Sequence, residues 1–326
     1  MRRKFRIRTL IFGVALGVFI FPFAGLSSLQ ADEYPTKPIN FIIATAAGGA
    51  SDLTARTFVH LSQEVLGQPM IIQIRPGGGG AVGTELVYQA KPDGYTLSFG
   101  HANWNSVLPA LEGRSRGPED LEPICRINMQ NVFYWVRADS PFKTFKDLVD
   151  YAKANPGKLA FGNSGTWSVT DLQWRWFEAK AGITTRNVPY AGGGETIVAL
   201  LGNHIQVCAL GPLQSLPHYR AGKIRPLAIE AQKRYAGLPD MPTMKELGYD
   251  NGLEGLWKGV LAPKGTPRPV IEKLAQAFKK MTQSKLAIEN LSKLGEDFDY
   301  LGTAEFAAFW KKDYQIYKEM AKMFKK

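Results

Sequence analysis

Short apolar runs alternate with helical stripes along this chain. Ile39-Asn40-Phe41-Ile42-Ile43 is rich in β-branched residues, as a covered parallel strand requires. A small-residue turn follows, and then Leu53, Phe58, Leu61 and Val65 recur at helical spacing. Met70 to Ile74 predicts the next strand, and Pro76 with Gly77 to Gly80 ends it. Thr84 to Ala90 reads as a short helix, Pro92-Asp93-Gly94 as a turn, and Tyr95 to Phe99 as a strand. Strand, small-residue loop and helix in repetition predict an α/β fold with mainly parallel sheets.

From about Leu121 to Val136 the chain reads as long and extended, which suits a crossing between two lobes. A helix is predicted from Thr144 to Ala154, stopped by Asn155-Pro156-Gly157. Leu256 to Ala262, followed by a helix from Pro269 to Met281, repeats that layout. These two units read as the one antiparallel strand of each lobe and the helix after it. The expected division is 34–131 plus 252–326 for a discontinuous first lobe, and 132–251 for the second. The last helix, about Thr303 to Met323, carries Phe306, Phe309, Trp310, Tyr314 and Tyr317 at core spacing.

Two of the strand-to-helix turns carry candidate chemistry. Thr45-Ala46-Ala47-Gly48-Gly49-Ala50-Ser51-Asp52 feeds the first helix, and Gly162-Asn163-Ser164-Gly165-Thr166-Trp167-Ser168 feeds a helix from about Thr170. A small-residue turn at a helix amino terminus presents backbone N–H groups beside a positive dipole end, so it suits an anion. Ala46, Ala47, Gly48, Gly49 and Ser51 are the candidate contacts in the first turn, with Asp52 expected to hold the loop in shape. In the second, Ser164, Gly165, Thr166 and Ser168 can donate to carboxylate oxygens or to bridging waters. Trp167 reads equally as a ligand wall or as surface packing. Arg56 and Arg75 are expected in structural ion pairs.

The amino terminus is a separate object. Arg2, Arg3, Lys4, Arg6 and Arg8 precede an uncharged, mostly apolar run from Thr9 to Gly25, the layout of a secretory signal over residues 1–31. An uncleaved membrane anchor is the alternative reading. Without those five basic residues the chain has 35 basic against 29 acidic, so the net charge of +11 falls to +6. The remaining Lys residues are scattered, which argues against nucleic acid. Cys125 and Cys208 are far apart in apolar runs, and either a disulfide or two buried thiols fits an exported protein. Four scattered His residues give no metal spacing, so no metal and no cofactor are expected.

Several stretches together resemble the periplasmic substrate-binding proteins of tripartite tricarboxylate transporters, the Bug receptors. They are Tyr34-Pro-Thr-Lys-Pro-Ile39, Ala47-Gly-Gly-Ala-Ser-Asp52, Arg75-Pro-Gly-Gly-Gly-Gly80, Pro92-Asp-Gly-Tyr-Thr-Leu97, Tyr151-Ala-Lys-Ala-Asn-Pro-Gly-Lys-Leu159, Val188-Pro-Tyr190 with Gly192-Gly-Gly194, Leu238-Pro-Asp-Met-Pro-Thr243, and Ala262-Pro-Lys-Gly-Thr-Pro267. Their order over about residues 34 to 325 carries the resemblance. It implies a two-lobed periplasmic-binding-protein fold (Venus flytrap, type II). It also implies capture of a small carboxylate between the lobes, delivery to a permease of one large and one small subunit, and a monomeric receptor in the periplasm. In the family the two turns clamp one carboxylate, largely through water, and the loop after Phe99 faces the cleft. His101 and Asn103 are therefore candidates for setting ligand orientation, and Tyr190, Gly192 and Gly193 for closing from the second lobe. The sequence departs from the family pattern at Ala46, where proline is usual, and at Ile205 to Gly211, where acidic residues are frequent. Lack of an acid there disfavours a ligand with an amino group.

The main rival is an exported α/β hydrolase. Gly162-Asn163-Ser164-Gly165 is not the nucleophile elbow, and no His stands in triad order. Gly77 to Gly80 lacks the Lys-Ser/Thr ending of a phosphate loop. A two-lobed sensor serving a signalling partner is the third reading, since one fold serves both roles.

Overall fold

The computed structural model describes residues 34–112 and 115–324; the predicted signal segment, 1–31, lies outside them. The elements run β1 (Ile39–Ile43), α1 (Ala50–Leu66), β2 (Met70–Ile74), α2 (Ala81–Tyr88), β3 (Thr96–His101), α3 (Leu108–Glu112), β4 (Leu121–Gln130), β5 (Val132–Arg137), α4 (Phe145–Ala154) and β6 (Ala160–Asn163). They continue α5 (Val169–Ala181), β7 (Arg186–Pro189), α6 (Gly193–Leu201), β8 (Val207–Leu210), α7 (Pro212–Arg220), β9 (Ile224–Glu230), β10 (Leu256–Pro263), α8 (Arg268–Thr282), α9 (Lys285–Lys293) and α10 (Thr303–Lys322).

The strands form two five-stranded sheets, ordered β2-β1-β3-β10-β4 and β7-β6-β8-β5-β9. The two orders match element for element. In the first, β10 runs antiparallel to both neighbours; in the second, β5 does. This is the expected α/β architecture with one antiparallel strand per sheet. The chain leaves the first sheet at Gln130 and enters the second at Val132; it returns between Glu230 and Leu256.

The strands are covered on both faces, which explains their continuous apolar runs. Phe41, Phe58, Phe99 and Phe278 pack one cluster under the first sheet, and Phe133, Trp135, Ile197 and Leu210 pack another under the second. A third cluster joins residues of both sheets through α10, with Tyr134, Trp174, Trp257, Phe306, Trp310 and Tyr317 inside it. The aromatics of the last helix are thus core, as their spacing predicts. Phe309 and Tyr314 are only partly buried.

The structure differs from the sequence expectation at two places. The predicted strand Tyr95–Phe99 extends to His101, which pairs with Lys258 on β10, and Asn103–Val107 is a π-helical turn instead of a loop. The short helix begins at Ala81, three residues earlier than predicted, because the glycine run folds directly into it. Gly77 to Gly80 all have positive φ, which only glycine adopts without strain. A Cβ at Gly80 would lie 2.7 Å from the Trp104 side chain, so the turn also admits that ring. Cys125 and Cys208 are buried free thiols, and burial raises both above the usual thiol range.

Candidate ligand-binding cleft

In an open parallel sheet, ligands bind beyond the carboxyl ends of strands where the strand order reverses. Both sheets here reverse at their 2-1-3 run, β2-β1-β3 and β7-β6-β8. The loops after β1, β3, β6 and β8 meet around one cavity of about 230 Å³. Its wall includes Thr45, Gly49, Ala50 and Ser51 after β1; His101, Asn103 and Trp104 after β3; Ser164, Ser168, Val169 and Thr170 after β6; and Ala209, Leu210 and Gly211 at β8. Gln130, Val132 and Leu256 close it at the inter-sheet crossings, and Gly193 and Gln214 close the far side.

Four helices start at this wall. The caps of α1, α6 and α7 are Gly49, Gly192 and Gly211, and none has a side-chain capping bond. The cap of α5 is Ser168, whose Oγ accepts from Asp171 N–H. An uncapped amino terminus leaves main-chain donors open and carries about half a positive charge; in α7 those donors start after Pro212, which has no N–H. Among the described residues, no Lys, Arg, Asp or Glu lines the cavity.

The two glycine-containing turns are built alike. Asp52, on the first turn of α1, accepts from Gly48 N–H at 2.8 Å and pairs with Arg56 at 2.9 Å. Asp171, on the first turn of α5, accepts from Trp167 N–H at 2.8 Å and pairs with Arg175 at 3.0 Å. Each aspartate is buried, so it shapes its loop from behind. Asn163 adds to the second turn: its Nδ2 donates to Asp171, and its Oδ1 accepts from Gly165 N–H.

These bonds separate the candidate residues. Gly49, Ser51, His101, Asn103, Ser164, Ser168 and Gly193 are on the wall, whereas Ala46, Ala47, Gly48, Asp52, Gly165, Thr166, Tyr190 and Gly192 are not. The amides of Gly48 and Gly165 are already used, and Ala46, Ala47 and Thr166 are exposed outside the cavity. Tyr190 packs in the apolar cluster beneath α6. Trp167 takes φ +60°, carries the Arg175 guanidinium over its ring, lies 6.4 Å from Phe324 and is not on the wall. Arg56 makes its ion pair; Arg75 instead donates to Gln73 Oε1 and Ile74 O. The wall also holds Thr170, Gln130, Gln214 and Gly211, which are not among the sequence candidates. Gly211-Pro212 repeats the strand–glycine–helix layout and was a readable cue. Gln130 had none, because its place depends on how the sheets join.

His101 is buried, and its ring stacks on Trp104 at 4.5 Å. Burial, helped by the Lys258 charge, pushes its pKa down to about 3. Its Nδ1 accepts from Asn103 N–H at 3.0 Å, so the neutral ring carries its proton on Nε2. A folded pKa below the usual 6.5 means that the unfolded chain takes up the proton first. The stability this group contributes is complete above pH 6.5 and declines as pH falls toward 3. The His101 imidazole resonances are expected not to titrate between pH 8 and pH 5 by NMR; an inflection near 6.5 would contradict the buried neutral ring.

Residues 54–323 match the family described as tripartite tricarboxylate transporter family receptor, TctC. A Cupriavidus necator protein, named for its place in the gbd 5' region, is 33% identical over 90% of this chain and 88% of its own. BugT of Bordetella pertussis is 32% identical over 86% of this chain and 87% of its own. MatC from Rhodopseudomonas palustris, solved with bound malate, superposes with a TM-score of 0.76 at 25% identity, covering 88% of this chain and 100% of that one. With matched sheets, a cleft at both switch points and a family match over most of its length, the chain belongs to the tripartite tricarboxylate transporter receptor family of periplasmic solute-binding proteins.

Proposed function

We propose that the cleft captures the carboxylate of a small organic acid and that the closed receptor delivers it to a membrane permease of one large and one small subunit. The observation that carries this reading is the convergence of uncapped helix amino termini on a cavity with no charged side chain. A carboxylate leaving water must recover its hydrogen bonds. Main-chain amides, the Ser164, Ser168 and Thr170 hydroxyls and the His101 Nε2–H supply neutral donors for it. Buried Thr45 Oγ1 and Trp104 Nε1 have no partner among the described residues and add two more groups. A wall without Asp or Glu gives an ammonium group no counter-charge, which disfavours amino acids. Malate in MatC is a precedent for an acid in this fold.

The same reading assigns residues 1–31 to export, 34–131 plus 252–326 to one lobe and 132–251 to the other, with a monomer as the working form. Ligand meets the open form at the first lobe, and the second closes over it, driven by contacts made only in the closed state.

A thermal-shift screen of the purified protein against organic acids tests this, because bound ligand raises apparent stability by mass action. If amino acids or uncharged solutes stabilise it and no organic acid lacking an amino group does, the reading fails. With the best acid, Gly49→Val is expected to weaken binding at least about tenfold, or ~1.4 kcal/mol, by calorimetry. Gly49 has φ −75° and ψ 166°, which valine accepts, and the nearest atom to an added Cβ is Ala46 O at 3.7 Å. The fold should therefore hold while the isopropyl group covers the α1 amides. Thr166→Ala, outside the cavity, should leave affinity unchanged.

A further inference from the structure

A side-chain bond bridges the two walls of the cleft. Val169 N–H, the first amide of α5, donates to Asn103 Oδ1 at 3.1 Å. Asn103 follows β3 of the first sheet, and Val169 follows β6 of the second.

The acceptor is held firmly on its own side. Asn103 Nδ2 donates to Gly79 O at 3.2 Å, and Asn103 N–H donates to His101 Nδ1 at 3.0 Å. His101 in turn stacks on Trp104, which sits against Gly80. Asn105 Oδ1 accepts from His101 N–H at 3.2 Å and fixes the start of the same π turn. Both ends of the Asn103 amide are thus committed to backbone groups, one of them across the cleft. Asn103 cannot turn to orient a ligand without breaking one of those bonds. α10 also touches α5: Phe324 lies near Trp167, and buried Tyr317 lies beside Gln173 in the core cluster that joins both sheets. The Asn103 bond is directional and permits one approach.

We propose that Asn103 is a latch between the lobes, biasing the ligand-free cleft toward the closed form and so setting how far a ligand must shift the open–closed equilibrium. The acceptor meets a helix amino terminus, where the dipole strengthens the bond. A preformed closed population lowers the conformational cost that a ligand must meet. The proposal rests on the two-lobed reading above and is independent of which ligand is captured.

Small-angle scattering of ligand-free protein purified from the periplasm tests it. The wild type should lie nearer the profile calculated from this structure than the truncated variant does. Asn103→Ala should show a larger radius of gyration, with the closed-to-open ratio lowered roughly threefold to tenfold, the effect of one lost net hydrogen bond. Asn103→Gln keeps both the amide oxygen and the N–H donor that meets Gly79 O, one methylene farther out, and should open the cleft less than the alanine variant does. A circular-dichroism melt checks folding, and Asn103→Ser, too short to span the gap, replaces the alanine variant if that does not fold. The latch is overturned if the truncated variant scatters like the wild type, or if the glutamine variant opens as far as the truncated one. A thermal-shift screen in which no acid binds would sink the proposed ligand class and leave this ligand-free comparison intact.

Discussion

A Lys258→Met variant is expected to lose about 3–5 kcal/mol of folding stability, measured by chemical denaturation. Lys258 lies on β10 opposite His101 and is fully buried. Its Nζ reaches Glu296 Oε1 at 2.7 Å and Oε2 at 2.6 Å. Asn128 Nδ2 donates to the same carboxylate at 2.6 Å. Removing the ammonium leaves Glu296 buried with one amide donor, and an uncompensated buried charge is the costly outcome. The pair as a whole is a different quantity, because its desolvation offsets much of its attraction. The double variant Lys258→Met with Glu296→Leu should therefore recover most of the loss. A single variant within ~1 kcal/mol of the wild type would mean that Glu296 finds another partner or takes up a proton at little cost. Glu296 lies in the connection from α9 to α10, so the pair ties that connection to β10.

Asp171→Ala should weaken ligand binding more than tenfold by calorimetry, about 1.4 kcal/mol or more, although Asp171 is not on the cavity wall. Its carboxylate takes Trp167 N–H, Asn163 Nδ2 and Arg175 Nε, at 2.8, 3.0 and 3.0 Å. Trp167 sits in the left-handed region, which a non-glycine residue keeps only when its surroundings hold it there. Alanine leaves a backbone donor and a side-chain amide without their acceptor, each costing about 1–3 kcal/mol if they stay buried. The loop is then expected to relax, carrying Ser164 and Ser168 out of position. Asp171→Asn keeps part of the acceptor set and should fall between. Equal affinity in the alanine variant and the wild type would mean that the second turn does not shape the site. Asp52 plays the matching part in the first turn, through Gly48 and Arg56.

The strand–turn–helix order was legible because a covered parallel strand and an amphipathic helix leave different periodicities. The pairing of β5 with α4 and of β10 with α8 was readable as a repeated layout, and both strands are indeed the antiparallel members of their sheets. The two turns were legible as amide donors, but which amides remain free was not. Gly48 and Gly165 look as suitable as Gly49 in the sequence. Their N–H groups are consumed by Asp52 and Asn163, a fact that depends on side-chain geometry. Thr166 and Thr170 likewise look alike; only the helix start at Val169 turns one outward and the other toward the cavity.

By itself, the sequence determined the α/β class, the family and the two glycine-containing turns at helix starts, since each rests on local pattern or on order along the chain. Only the tertiary structure decided the wall of the cleft. Gln130, Gln214 and Gly211 join it because two sheets put their strand ends face to face. The bond from Val169 to Asn103 spans 66 residues, and the ion pair of Lys258 with Glu296 spans 38. Such contacts follow from chain folding in three dimensions, and no local periodicity encodes them.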